Sequence, residues 1–440
     1  MHLAERGFQF LLLAAVLAIA GQWGDDPGLR MLWVWPAGLV IVGLCFEHWH
    51  AARTGLRVAL EGPNVLLLGQ PQSLSFVFEQ TSTRVLPLQF APAVPAGFEL
   101  LGEPVTLLLP AGATLRWPRD ITALRLGAHD WPPLPVRLAG RLRLAWWSRT
   151  LSLTHGITVA PDTRSLASRV RGTHAGANAR LRPGRGAELL QLRDYLPGDP
   201  KAHIDWKTTA RLRRLTTREY AEDQHLDILL AIDAGRLSRA RAGPLDRLGL
   251  YANLAARFAQ HAVQRDDRVG LLVYAERPLA VCAPDRGVRA VAAIRQQLMQ
   301  LASQRGESAP LLAALRMRTF LRQRTLIVLL TDLEDATAGV ALRSAVLTLM
   351  PPHVALLAGV RSEELGAMVQ QPARDWRDPW VALAARAALQ RTALQHAQLR
   401  AIGAPVIYAP QQQLEQAVFD EYEVLRQRRL RPQRHTDAQR

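Results

Sequence analysis

From Leu226 to about residue 425, short apolar runs alternate with longer amphipathic ones, and no other feature narrows the possible folds as far. Leu226–Asp233, Val269–Tyr274, Thr325–Asp332, Val354–Val360 and Pro405–Tyr408 have the length and composition of buried strands. Leu245–Gln264, Val288–Ser303, Leu311–Arg322, Gly339–Leu349, Pro379–Gln398 and a last stretch from Gln412 carry helical periodicity. The alternation predicts a doubly wound α/β domain over 226–425 with a mostly parallel sheet. Ligands of such sheets bind beyond the carboxyl ends of the strands, where the strand order switches. Asp233 and Asp332 end two of the runs. The pair could hold a hard cation such as Mg²⁺, or simply be solvated or cap the next helix.

Earlier in the chain the pattern is different. Leu56–Glu61, Ser73–Glu79, Arg84–Phe90, Pro104–Leu109, Ala113–Trp117, Val136–Leu138 and Arg141–Trp146 are short, partly alternating segments separated by Pro and Gly. They predict an all-β, sandwich-like domain over 56–160. It offers no acidic cluster and no cysteine, so its expected role is that of a spacer or adaptor.

At the N-terminus, Phe8–Gly21 and Met31–Phe46 are uncharged apolar runs joined by the turn-rich connector Gln22–Arg30. With flanking tryptophans to extend them, they predict a transmembrane helical hairpin over 1–55. Arg53 and Arg57 after the second run place both ends, and with them the bulk of the chain, in the cytoplasm, anchored in a lipid bilayer. A cleaved signal peptide ending near Ala18-Ile-Ala20 is the competing reading, with a weak basic start.

The formal net charge of +16 raises the question of nucleic acid. Lysine occurs only at Lys201 and Lys207, and the arginines are spread along the whole chain. Recognition of nucleic acid calls for a localised basic face with stacking aromatics, so no nucleic-acid partner is expected. Cys45 and Cys282 lie too far apart in sequence for a disulfide framework or a zinc site to be inferred.

Residues 161–225 join the two halves, and Pro183–Tyr220 is the densest run of turn formers, charges and aromatics in the sequence. Tyr195-Leu-Pro-Gly-Asp199 reads as a tight turn, with Gly198 free to take positive φ. Asp199-Pro200 reads as a helix cap and first position, leading to a helix that ends in Arg211, Arg213 and Arg214. Arg193, Asp194, Asp199 and Asp205 are expected to form an ion-pair lattice, and Tyr195 and Trp206 to be core anchors. Arg211, Arg213, Arg214 and Arg218 could face an acidic partner or an anionic leaflet, or be solvated. The segment 426–440 reads as a frayed basic tail.

Two resemblances sharpen this picture. The α/β region resembles a von Willebrand factor type A domain, whose metal site uses Asp-x-Ser-x-Ser, a later loop Thr and a later Asp. Here the first motif is Asp233-Ala-Gly-Arg-Leu-Ser238, with Gly235 and Leu237 where the serines belong. Asp332 matches the later Asp, Ser308 stands in for the Thr, and Ser238 falls one residue late. The resemblance therefore implies a degenerate metal site at Asp233 and Asp332. RDYLPGDPKAHIDW, with Ala210-Arg211 and Arg218-Glu219-Tyr220, resembles the signature of the domain of unknown function 58 family. Its characteristic residues map here to Arg193, Tyr195, Gly198, Asp199, Asp205, Trp206, Arg211, Arg218 and Glu219. Ala202 and His203 occupy ground where members usually carry Arg. The family is bacterial and implies partnership with a MoxR-type AAA+ ATPase and a client complex, hence a non-enzymatic adaptor anchored by two helices in the bacterial inner membrane. The alternative is a metal-dependent hydrolase using Asp233, Asp332 and Asp335.

Overall fold

The computed structural model describes residues 2–23, 27–100, 105–164, 183–221 and 225–430. It divides into two compact units, 1–162 with 298–302, and 163–297 with 303–440.

The first unit begins with β1 (His2–Leu3), α1 (Glu5–Gly21), a single turn α2 (Pro27–Arg30) and α3 (Val34–Arg53). There follow β2 (Leu56–Glu61), β3 (Val65–Leu67), β4 (Pro71–Gln80), β5 (Leu86–Phe90), β6 (Phe98–Leu100) and β7 (Val105–Leu109). Next come β8 (Thr114–Ala123), β9 (Gly127–Asp130), β10 (Leu134–Ala139), β11 (Ala145–Leu151) and β12 (Gly156–Ala160). Among the described residues they form three sheets, in the orders β1-β11-β10-β5-β7, β2-β4-β8-β6 and β3-β12-β9. Alternation in β4 buries Leu74, Phe76 and Phe78 on one face. There Phe76 lies 5.7 Å from Trp117 and Phe90 lies 4.8 Å from the same ring, centroid to centroid. The segment Arg141–Trp146, expected as a strand, instead opens with a turn that takes Arg143 to φ 58°, and β11 starts at Ala145.

The expected transmembrane hairpin is overturned: no described helix is long and apolar enough to cross a membrane. α1 has 17 residues, about 25 Å at the helical rise, against about 30 Å of hydrocarbon. α3 has 20 residues, but its last two turns carry Glu47, His48, His50 and Arg53. Glu47 is fully buried and accepts backbone N–H bonds from Leu142 (2.7 Å), Leu144 and Ala145 (both 3.1 Å). Ala4 N donates to Leu144 O at 2.8 Å, and β1 pairs with β11. Both helices are thus tied to the β-sheet around residues 142–146. The two-helix inner-membrane placement falls with the hairpin.

The second unit opens with an arm, β13 (Pro183–Asp194), α4 (Trp206–Leu212) and β14 (Thr216–Ala221). Its sheet strands are β15 (Asp227–Asp233), β18 (Arg268–Tyr274), β19 (Pro278–Asp285), β20 (Thr325–Leu330), β21 (Val354–Val360) and β22 (Val406–Ala409), with the short pair β16 (Arg241–Ala242) and β17 (Leu245–Asp246) set apart. The helices are α5 (Arg247–Gln264), α6 (Gly287–Met299), α7 (Pro310–Phe320), α8 (Ala336–Leu349), α9 (Glu363–Gln370), α10 (Asp378–Ala401) and α11 (Gln411–Leu430). The six-stranded order is β19-β18-β15-β20-β21-β22. Every pairing is parallel except β18–β19, an antiparallel edge with no counterpart among the expected strands. Leu229, Ile327 and Leu357, from three adjacent strands, are fully buried in one apolar cluster with Ala314 and Val346. The chain starts in the middle at β15, adds β18 on one side and returns to add β20 on the other. The carboxyl ends of β15 and β20 therefore flank the switch in strand order.

α11 runs to Leu430, so the expected frayed tail begins, within the described residues, as helix. Arg426 Nε donates to the fully buried Asp267 at 3.3 Å, and Leu226 N donates to the same carboxylate at 2.8 Å. The rest of that segment, and residues 165–182 of the expected linker, lie outside the described residues.

Candidate functional site

At the switch point Asp233, at the end of β15, is buried and accepts three bonds. Gly235 N donates at 2.9 Å, Thr331 Oγ1 at 2.8 Å, and Ser308 Oγ donates to Oδ1. Burial pushes its carboxyl up, with the Ser308, Gly235 and Thr331 bonds opposing. The structure thus brings Asp233 and Ser308 together. Ser238 does not join them: it is buried and donates to Gly235 O at 2.7 Å. A Cβ at Gly235 would collide with Ser308 Oγ, so serine cannot simply be restored there.

Asp332 turns to a different partner. Its Oδ2 accepts from Arg247 Nη1, and its Oδ1 accepts from Glu334 N at 2.7 Å. Arg247 Nη2 donates to Glu334 Oε2 at 2.6 Å. Glu334 in turn accepts from Tyr408 OH and Ser362 N, both at 2.7 Å. The Arg247 side chain is only 6% exposed. Burial works against its charge, but Asp332 and Glu334 more than offset that, and its pKa is raised above the ordinary value. Burial likewise raises the Asp332 carboxyl, with Arg247 pulling the other way. One guanidinium therefore sits on the carboxylate that the expected metal site assigns to the cation. These residues do not fit a divalent ion, and among the described residues no group of three or more His, Cys, Asp or Glu could hold one. The main-chain oxygen of Asp335 accepts from Gln395 at 3.4 Å.

Sequence reasoning did not find Arg247. One signal was available. Arg247 opens α5, directly after the capping Asp246, whose side chain accepts from Gly249 N at 2.8 Å. A cation in the first helical turn runs against the helix dipole and calls for carboxylates nearby.

The arm gathers most of the other residues singled out in the sequence. Arg193 grips Asp199 with two parallel bonds, Nη1 to Oδ2 at 2.7 Å and Nη2 to Oδ1 at 2.8 Å. Its Nε reaches Glu219 at 3.3 Å across the β13–β14 ladder. Asp199 also accepts Leu196 N at 3.0 Å, and its carbonyl accepts Tyr195 OH at 3.3 Å. Gly198 takes φ 112°, which closes this turn. Asp194 pairs with Arg214 at 3.2 Å. Asp199 therefore does not cap the helix. That role belongs to Asp205, whose Oδ1 accepts Thr208 N at 2.9 Å while Oδ2 holds Arg218 Nε at 2.9 Å. Arg193 beside Asp199, and Thr208 N with Arg218 beside Asp205, hold both carboxyls below the usual range. α4 ends at Leu212, with Arg213 in the left-handed region, and Arg211 is exposed.

Trp206 corrects the expectation of a core anchor: it is 66% exposed, while Tyr195 is half-buried. Leu192, Leu196, Leu212 and Leu215 on the same arm are exposed as well. Among the described residues the arm's sheet has two strands, too few to enclose such side chains in a core.

Residues 191–349 match the family described as Protein of unknown function DUF58, which bears out that resemblance over the segment. Neither a MoxR association nor a type A likeness is part of the match. No curated protein matches the chain. Among solved structures, BatB from Bacteroides thetaiotaomicron, described as a conserved hypothetical protein, shares 18% identity over 45% of this chain and 99% of its own, with a TM-score of 0.28. The CARDB domain of a Pyrococcus furiosus protein, solved with di-metal ions, shares 10% over 25% of this chain and 96% of its own, at 0.18. A protein of unknown function from Porphyromonas gingivalis W83 shares 12% over 26% and 50%, at 0.19. Likenesses at these scores decide nothing about this chain.

Proposed function

We propose, on the premise that residues 191–349 are a DUF58 segment, that the chain is a non-enzymatic adaptor whose arm docks a protein partner. The observation that carries this reading is the arm itself. It lies largely within the matched segment, is cross-braced by three arginine–carboxylate contacts from Arg193 and Arg218, and holds Trp206 and four leucines out to solvent. A braced scaffold that presents apolar anchors with little ordering cost is what a binding surface needs. The strand-end carboxylates supply less to a catalytic reading. Asp233 spends its oxygens on three neutral donors, Ser308 among them, and Asp332 on Arg247 and Glu334 N.

The family resemblance supports a MoxR-type AAA+ ATPase as the partner. Co-purification from cells producing both proteins tests this. The wild-type chain retains the ATPase, and the double variant Leu196→Ala/Trp206→Ala retains at least about tenfold less, a hot-spot-sized loss. Because both side chains are exposed, the urea midpoint of the variant stays where it was. Equal retention by wild type and variant, or no retention by either after crosslinking, overturns the reading.

A further inference from the structure

α10 carries two apolar faces, and the fold uses one. The inner face, Ala385, Thr392, His396 and Leu399, is buried. It is fixed by the His396 ring, whose Nε2 lies 3.2 Å from Leu333 O and whose centroid lies 4.8 Å from that of Tyr408. The outer face begins just ahead of the helix at Trp376 and continues through Trp380, Leu383, Ala387, Gln390, Leu394, Ala397 and Ala401, all exposed. Trp376, Trp380, Leu383 and Leu394 are each about two-thirds exposed or more, at 71, 69, 67 and 65%. The eight positions of the face alternate steps of four and three, a seven-residue repeat filled by these four large side chains, three alanines and Gln390. A surface helix of a globular unit needs one apolar stripe. A second stripe with this repeat has the spacing of a two-helix seam, in which a single polar residue, as at Gln390, can specify register.

The charges beside the seam choose its occupant. Arg386 and Arg391 flank it on opposite sides, are exposed, and make no ion pair among the described residues. Asp378 is the only carboxylate in α10, and it is engaged at the N-terminus with Arg374 N (2.7 Å) and Asp375 N (2.9 Å). A second copy of this chain laid parallel would set Arg386 against Arg391, and the helix has no carboxylate beside the seam to answer either. At the same end, α9 and α10 leave a hollow of about 230 Å³ lined by Met368, Pro372 and Val381 together with Gln371, Arg374 and Asp378, with room for a large side chain. We propose that the outer face of α10 docks an amphipathic helix of another protein, with apolar residues at heptad spacing and acidic residues flanking them. This surface is separate from the arm and does not depend on the adaptor reading.

The test uses the full chain and two labelled synthetic peptides of three heptads, about 21 residues, with Leu at a and d. One has Glu at e and g, the other Lys. Fluorescence anisotropy should show the Glu peptide binding at least about tenfold more tightly than the Lys peptide, with the difference shrinking as salt rises. Leu383→Asp/Leu394→Asp should abolish binding without moving the thermal melt. Equal binding of the two peptides, or none by the Glu peptide at about 100 µM, overturns the proposal. So does a wild-type dimer in sedimentation that the double variant loses, which would give the seam to a second copy. Leu196→Ala/Trp206→Ala should leave peptide binding intact, and the seam variant should leave ATPase retention intact, so each reading can fail without the other.

Discussion

Arg247 is the residue whose removal should be felt most. Its guanidinium bridges Asp332 and Glu334 in a pocket where its own side chain is only 6% exposed and those of the two acids 10% and 13%. Taking away one partner of such a group strands like charges that burial has already separated from water, at a cost of about 3–5 kcal/mol. Arg247→Met should lower the unfolding free energy in urea by about that amount. Neutralising the acids as well, in Arg247→Met/Asp332→Asn/Glu334→Gln, should recover most of it, because the stranded charge is then gone. If the single variant is as stable as the wild type, the clamp contributes nothing. Strand-end acids were legible in the sequence because each closes an apolar run. Their counter-charge was not, because Arg247 is 85 residues from Asp332 and meets it only through the fold.

At the scale of elements, periodicity exposed the α/β strands and most helices, since a buried sheet leaves a continuous apolar record. β19 left only a short one, Leu279–Ala283 between two prolines, and its residues alternate between half-buried and exposed along the sheet edge. The arm departs from expectation in a different way. Aromatic residues are usually buried, which puts Trp206 inside, yet nothing in a local sequence reveals that a ladder has only two strands. What braces this ladder is electrostatic, and that makes it sensitive to acid. Asp199 and Asp205 have folded pKa values below their ordinary 3.8. Their contribution is therefore complete above the unfolded value and is lost as pH falls through the lower folded values. Hydrogen-exchange protection factors over 191–221 should hold from pH 7 down to about 4 and fall only as the pH drops further, through the lowered folded values. Protection in Asp227–Asp233, inside the parallel sheet, should outlast them. In Asp199→Asn/Asp205→Asn the arm should be less protected already at neutral pH and should lose this acid step, since an asparagine at position 205 still caps the helix but holds no ion pair.

On the scale of the whole chain, the contact division at residues 162 and 163 leaves the arm with the α/β unit. That unit owns a six-stranded sheet and a continuous apolar cluster, so it meets the usual requirements for folding by itself. A fragment running from Pro183 to Leu430 should be soluble and melt in one cooperative transition. A broad, non-cooperative melt would mean that its core is incomplete without the first 162 residues. Its most durable property follows from Arg247 being covalently part of α5. A bound ion comes and goes with the concentration around it and can be stripped by a chelator. A guanidinium on the chain is present whenever the chain is folded, at any magnesium supply. The positive charge at the head of this sheet is thereby supplied by the chain itself, and taking it away from Asp332 requires movement of the first turn of α5.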